Sequence, residues 1–189
     1  MSTLARPLLI MFAIGVVVGL VGDAAHVQAG ITEYLWDGVP TIGKSAIWFP
    51  LVVGSAMAFG GWLGSRFEPQ LDRSPRDLLL ASALVLGLYC LTTVVADTAP
   101  IAANGLCWGI AIAIWLWWDP SVKALIFALL TMVIGPLAEI GMVELGGSRY
   151  LPGYDELFGV AAWLMPLYFA VGAILSGAFA ALSPRREAA

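Results

Sequence analysis

The chain has 189 residues, of which 60% are hydrophobic and 12% charged, and its mean hydropathy is +0.90. That leaves too little polar surface to cover a soluble globule and too much apolar residue for a disordered chain, so the composition reads as an integral membrane protein. The net charge of -4 is small and the basic residues are scattered, which excludes nucleic acid as a partner.

A helix needs about 20 apolar residues to cross about 30 Å of hydrocarbon. Six segments meet that need, near 5–22, 43–64, 77–96, 101–118, 122–145 and 156–182, and predict an all-α, compact six-transmembrane-helix bundle forming one membrane domain over 1–189. In the first segment, Arg6 followed by PLLIMFAIGVVVGLVG also fits a secretory signal, with Ala24, Ala25 and Ala29 at its exit. With Met1 present, it is read as a retained helix, followed by Asp23, a loop-exposed His26 and Gln28.

The spacings Gly15-xxx-Gly19 and Gly60-xxx-Gly64 are helix-packing patterns, suited to one bundle or to self-association between copies. They lead to the expectation of a homo-oligomer. Cys90 and Cys107 fall within apolar runs, with neither a CxxC nor a neighbouring His, and read as small buried hydrophobes. The third segment ends at Asp97.

The fourth segment opens with the amide of Asn104 and closes on Trp115, Trp117 and Trp118 before Asp119-Pro120. The apolar run supplies the span, tryptophans favour the interface, and proline allows the stop. Asn104 can cap the helix, bond a neighbouring helix or face a ligand. In the fifth segment Gly135-Pro136 predicts a kink freeing the Met132 carbonyl, since proline lacks the N–H. Glu139 follows one turn later, where a buried charge costs about 2.5–3.5 kcal/mol. It can reach the outer interface, give polarity to a cavity or carry a proton. Trp48 is a further candidate for a lipid slot, and Asp155 is read as the N-cap of the sixth helix.

Arg6, Arg66, Arg73, Arg76, Lys123, Arg185 and Arg186 fall on one side of the spans, and Lys44 and Arg149 on the other. This asymmetry places both termini in the cytoplasm. There is no HExxH, GxSxG or Walker loop, and one histidine cannot build a metal cluster. Asp23 and Asp155 are the nearest approach to a membrane aspartyl dyad, yet both sit at predicted helix ends. No catalytic, metal or cofactor site is therefore expected.

Separated motifs in a shared order resemble the Insig (insulin-induced gene) family of the endoplasmic reticulum and its bacterial, notably mycobacterial, homologues. They are FAIGV in the first segment and HVQ just after it, SAIWFPLVVG with Trp48, Pro50 and Gly54, LDR at Leu71–Arg73, LWW before Asp119, and WLMPLYFAVG from Trp163 to Gly172. The resemblance implies a non-enzymatic regulator or scaffold of the bacterial plasma membrane. Its central cavity would open to the bilayer and hold a diacylglycerol- or sterol-like lipid.

The family's ligand-facing helix-four amide, glutamine in eukaryotic members, falls on Asn104, and its helix-four aromatic falls on Trp117. The loop aspartate that holds a sterol-sensing membrane protein partner falls on Asp119, followed here by Pro120-Ser121 rather than a basic run. Glu139 and Trp48 complete the lipid-binding candidates. The competing readings are a small transporter of two three-helix repeats and a tryptophan-rich translocator-type porphyrin or sterol binder. Helices one to three do not visibly repeat as four to six.

Overall fold

The computed structural model of the chain describes residues 4–66, 71–95 and 100–183. It is mostly helical, with α1 at Ala5–Ala29, α2 at Trp48–Gly64, α3 at Pro75–Val95, α4 at Pro100–Trp118, α5 at Val122–Glu144 and α6 at Leu164–Leu182. Four short strands join them: β1 at Thr32–Tyr34, β2 at Thr41–Ile42, β3 at Ser45–Ala46 and β4 at Ser148–Tyr150. α1, α3, α5 and α6 are long and apolar enough to cross a membrane, while α2 and the Ala102–Trp118 stretch of α4 are apolar but shorter. Asp97, Arg185 and Arg186 lie outside the described residues.

α6 is the axis of the bundle. A helix that is apolar all round belongs in an interior, and α6 is buried along nearly its whole length, with α1 to α5 arranged about it. Small residues set the close crossings. A Cβ on Gly172 would lie 2.5 Å from the Phe127 carbonyl oxygen of α5, and one on Gly54 would lie 2.8 Å from the Phe12 carbonyl oxygen of α1. The Gly60, Gly61 and Gly64 run meets Leu175 of α6 and Met11 of α1. The glycine spacings read from the sequence therefore serve packing within one chain. Among the described residues, α5 packs mainly on α6, with a smaller contact to β4.

Several boundaries differ from the sequence reading. α1 runs seven residues past the expected end at 22, because Ala24, Ala25 and Ala29 continue the helix until Gly30 takes a left-handed φ of 73°. Asp23 and His26 thus occupy its last turns and are buried at 5% and 1% exposure, which corrects the exposed loop expected for His26. Residues 43–47 are not helical. Gly43 and Lys44, both at positive φ, close a hairpin between β2 and β3.

α6 starts at Leu164, not near 156, because Gly153, Phe158 and Gly159 adopt positive φ and turn the chain. Asp155 is consequently no N-cap: its Oδ1 accepts from the Gly153 N–H within that turn. α5 continues through Pro136, whose ring is buried, for about two further turns.

The corner from α4 to α5 is closed by side chains. Arg73 donates from Nε to the Trp118 carbonyl at 2.9 Å and from its guanidinium to the Trp117 carbonyl. These are two of the carbonyls a helix leaves without intrahelical partners. Asp119 Oδ1 accepts from the Ser121 N–H at 3.0 Å, and the Ser121 hydroxyl accepts from the Ala124 N–H at 3.1 Å, capping α5. At the start of α3, Ser74 and Asp77 form a reciprocal capping box.

Candidate functional site

The polar residues gather at the end of the bundle formed by the C-termini of α1, α3 and α5. α1 delivers Asp23 and His26, one turn apart on its buried face. Gly22 gives Tyr89 of α3 its place, since a Cβ there would fall 1.9 Å from the Tyr89 ring. β1 and β4 pair antiparallel, Thr32 opposite Tyr150 and Tyr34 opposite Ser148. The ribbon lays two tyrosines over this end. The Tyr34 hydroxyl donates to Asp23 Oδ2 at 2.6 Å, and the Tyr168 hydroxyl of α6 donates to Glu139 Oε1 of α5 at 2.9 Å.

Burial, and next the Asp23 carboxylate, hold the Tyr34 phenol well above its ordinary 10.0. Burial first, and then Glu139, do the same for Tyr150. Both phenols are therefore hydrogen-bond donors throughout the physiological range. His26 is fixed on both ring nitrogens. Nδ1 lies 2.8 Å from the Gly22 carbonyl, which can only accept, so this nitrogen carries a proton. Nε2 lies 2.8 Å from the Thr92 hydroxyl of α3. The ring stacks on Trp163 at 4.7 Å between centroids.

A cleft opens beside this cluster, lined by Asp23, Thr32, Glu33, Tyr34, Trp48, Phe49, Tyr89, Glu139, Ser148 and Tyr150. Its volume of about 20 Å³ accommodates a water or one small polar group. Two of the lining residues, Thr32 and Trp48, each carry a polar atom, Oγ1 and Nε1, that is buried without a hydrogen-bond partner.

Of the residues singled out in the sequence, Glu139 and Trp48 meet at this cleft. Asn104 and Trp117 do not line it. Asn104 stands in the first turns of α4, its Oδ1 buried without a partner. Trp117 is at the other end of α4, under the Arg73 guanidinium at 5.0 Å from the ring centroid. The two are thirteen residues apart, about 20 Å along the axis and about 140° around it. One head group cannot touch both. Asp119 is 3% exposed and engaged in the α4–α5 corner.

Tyr34, Tyr150 and Tyr168 escaped the sequence reading. The available signal was a phenol at the edge of an apolar run for Tyr34 and Tyr150, and a phenol within one for Tyr168. Among the described residues no three His, Cys, Asp or Glu side chains come together to hold a metal, and Cys90 and Cys107 are unbridged.

No family model matches the chain. An INSIG protein homolog of Mycolicibacterium vanbaalenii is 36% identical over 166 residues, covering 87% of this chain and 81% of the relative. The crystal structure of a mycobacterial Insig homolog from Mycobacterium vanbaalenii superposes with a TM-score of 0.89 at 33% identity, covering 97% of this chain and 98% of that one. A second crystal structure, of a cross-linked trimer of a cysteine variant of that homologue, matches equally well.

Proposed function

The chain belongs to the Insig family, and from this premise we propose that it is a non-enzymatic, lipid-holding membrane bundle. In this reading all six helices cross the bacterial plasma membrane, with both termini cytoplasmic, and the protein acts as a regulator or scaffold. The basic residues of the described chain support the orientation: Arg66, Arg73, Arg76 and Lys123 flank one end of the helices, Lys44 and Arg149 the other.

The observation that carries lipid binding is the Asn104 amide oxygen, buried without a partner on an apolar helix. An unpaired buried acceptor costs about 1–3 kcal/mol, and a lipid hydroxyl would satisfy it. The attachment of α5 to the bundle through α6 and β4 supports grooves on its flanks, where acyl chains could lie. The α5 side chains Leu130, Val133, Ile134 and Leu137 are at least half exposed. Diacylglycerol- and sterol-like lipids both fit one hydroxyl on a large apolar body. Native mass spectrometry after mild extraction tests the reading, with a retained lipid expected on the unaltered protein and reduced occupancy on Asn104→Ala.

Self-association belongs to the same reading, supported by the relative's cross-linked trimer. Gly15, Gly54 and Gly172 are spent inside the bundle, whereas Gly105 and Gly109 on α4 have nothing within 4 Å of where a Cβ would stand. Four residues apart, they offer an outward face for close approach by a second copy.

A further inference from the structure

The connection from β4 to α6 holds an aromatic side chain in a backbone form that such a residue does not favour. The Leu157 N–H donates to the Val160 carbonyl at 2.8 Å and the Val160 N–H to the Leu157 carbonyl at 3.2 Å. Between them Phe158 and Gly159 have φ of 53° and 87°, the values of a type I′ turn, where asparagine and glycine are the usual pair. A bulky residue at positive φ is an outlier. Among the described residues Phe158 is also the most exposed large apolar side chain, at 81%.

Neither the turn nor the core accounts for phenylalanine at this position. Val160 is fully buried and Leu157 packs on the core, so the flanking residues brace the turn while Phe158 stands clear of it. Its apolar surface finds its contact outside the chain.

The level of the turn identifies that contact. Gly159 lies against the last turn of α5, since a Cβ on it would stand 3.5 Å from Val143 Cγ1. With 23 residues, α5 is about 34 Å long, barely more than the roughly 30 Å of hydrocarbon, so Val143 falls at the edge of the bilayer. Leu145, 73% exposed, continues this level. Leu35 and Trp36, also exposed, are tied beside it by the Leu35 N–H, which donates to the Gly147 carbonyl at 3.2 Å. The exposed carboxylates of Asp155 and Glu156, next to the tip, suit the head-group region and not the hydrocarbon.

We propose that Leu35, Trp36, Leu145 and Phe158 form a rim that seats in the bilayer surface at the C-terminal end of α5, with Phe158 as the inserted aromatic. The proposal rests on the reading that α5 crosses the membrane. Leucine, tryptophan and phenylalanine are side chains that settle in this zone. α5 is held within the protein mainly by α6, and the rim gives its end a second attachment, to lipid.

The test places a spin label at Phe158→Cys in the full-length chain in phosphatidylglycerol nanodiscs. Power-saturation EPR then compares collisions with oxygen, which concentrates in hydrocarbon, and with a neutral nickel chelate, which stays in water. Cys90 and Cys107 are half-buried and buried, and the parent chain carried through the same labelling supplies the blank. A label at Leu137→Cys, on the exposed flank of α5, marks the bilayer interior. At Phe158 the ratio of oxygen to nickel accessibility is expected to lie well above that of free label in the same buffer and below that at Leu137.

A Phe158 ratio equal to that of free label places the side chain in water and overturns the proposal. Exclusion of both agents marks a protein contact, such as a second copy, and overturns it as well. A free-label ratio at Leu137 would instead remove the spanning reading of α5, and the rim with it.

Discussion

The Tyr34 hydroxyl reaches Asp23 at 2.6 Å, so a three-residue strand is latched onto the buried last turns of α1. The latch serves both partners, since Asp23 is 5% exposed and a buried carboxylate without donors is costly. Tyr34→Phe removes the donor and leaves the carboxylate. A loss of about 1–3 kcal/mol is expected, read as a lower unfolding midpoint in detergent, while Thr32→Val in the same strand should cost less because its hydroxyl has no partner.

Alkaline pH acts on the same ribbon. Tyr34 and Tyr150 are held above the ordinary phenol value of 10.0 by burial and by the carboxylates beside them. A raised folded-state value means that their contribution is complete below the unfolded value and lost as the pH rises above it. Stability attributable to them should be flat up to about pH 10 and fall beyond it. Monitored by tyrosinate absorbance, part of the phenol signal should appear only with unfolding.

Close helix crossings predict single-residue effects of similar size. Gly54→Ala would set a methyl 2.8 Å from the Phe12 carbonyl oxygen, which is backbone and cannot step aside. Separation of α1 from α2 should cost about 1–3 kcal/mol. Gly109→Ala meets nothing within 4 Å and should cost no stability, or add up to about 1 kcal/mol through helix propensity. Gly109→Leu should instead reduce cross-linked oligomer if that face joins copies.

How much of this was legible in sequence depends on distance along the chain. Apolar runs of span length located the helices, because each span satisfies its backbone internally. The end of α1 was misplaced because Asp23, His26 and Gln28 read as loop residues, whereas Ala24, Ala25 and Ala29 carry the helix on to the left-handed Gly30. The ribbon was invisible: Thr32–Tyr34 and Ser148–Tyr150 are too short for a period-two pattern, and their pairing is tertiary. Glu139 stood out as a carboxylate in an apolar run, but its partner Tyr168 lies 29 residues away across a helix crossing. The separation of Asn104 and Trp117 was already legible, since thirteen residues of helix set them about 20 Å apart along the axis.

Arg73 anchors the opposite end of the bundle. Its guanidinium serves the Trp117 and Trp118 carbonyls and lies over the Trp117 ring. Lysine cannot reproduce both the fork and the stacking, so Arg73→Lys should recover little of the loss caused by Arg73→Ala. That loss is expected at about 1.5–3 kcal/mol, measured by thermal unfolding in detergent.

The central claim is that a lipid completes the polar bonding of α4 at Asn104. Native mass spectrometry of the gently extracted protein, comparing the unaltered chain with Asn104→Ala and Asn104→Gln, tests it most directly. The account predicts a bound lipid on the unaltered protein, loss of most of it in Asn104→Ala, and substantial recovery in Asn104→Gln, which keeps the amide. A folded Asn104→Ala protein carrying as much lipid as the unaltered chain would contradict it.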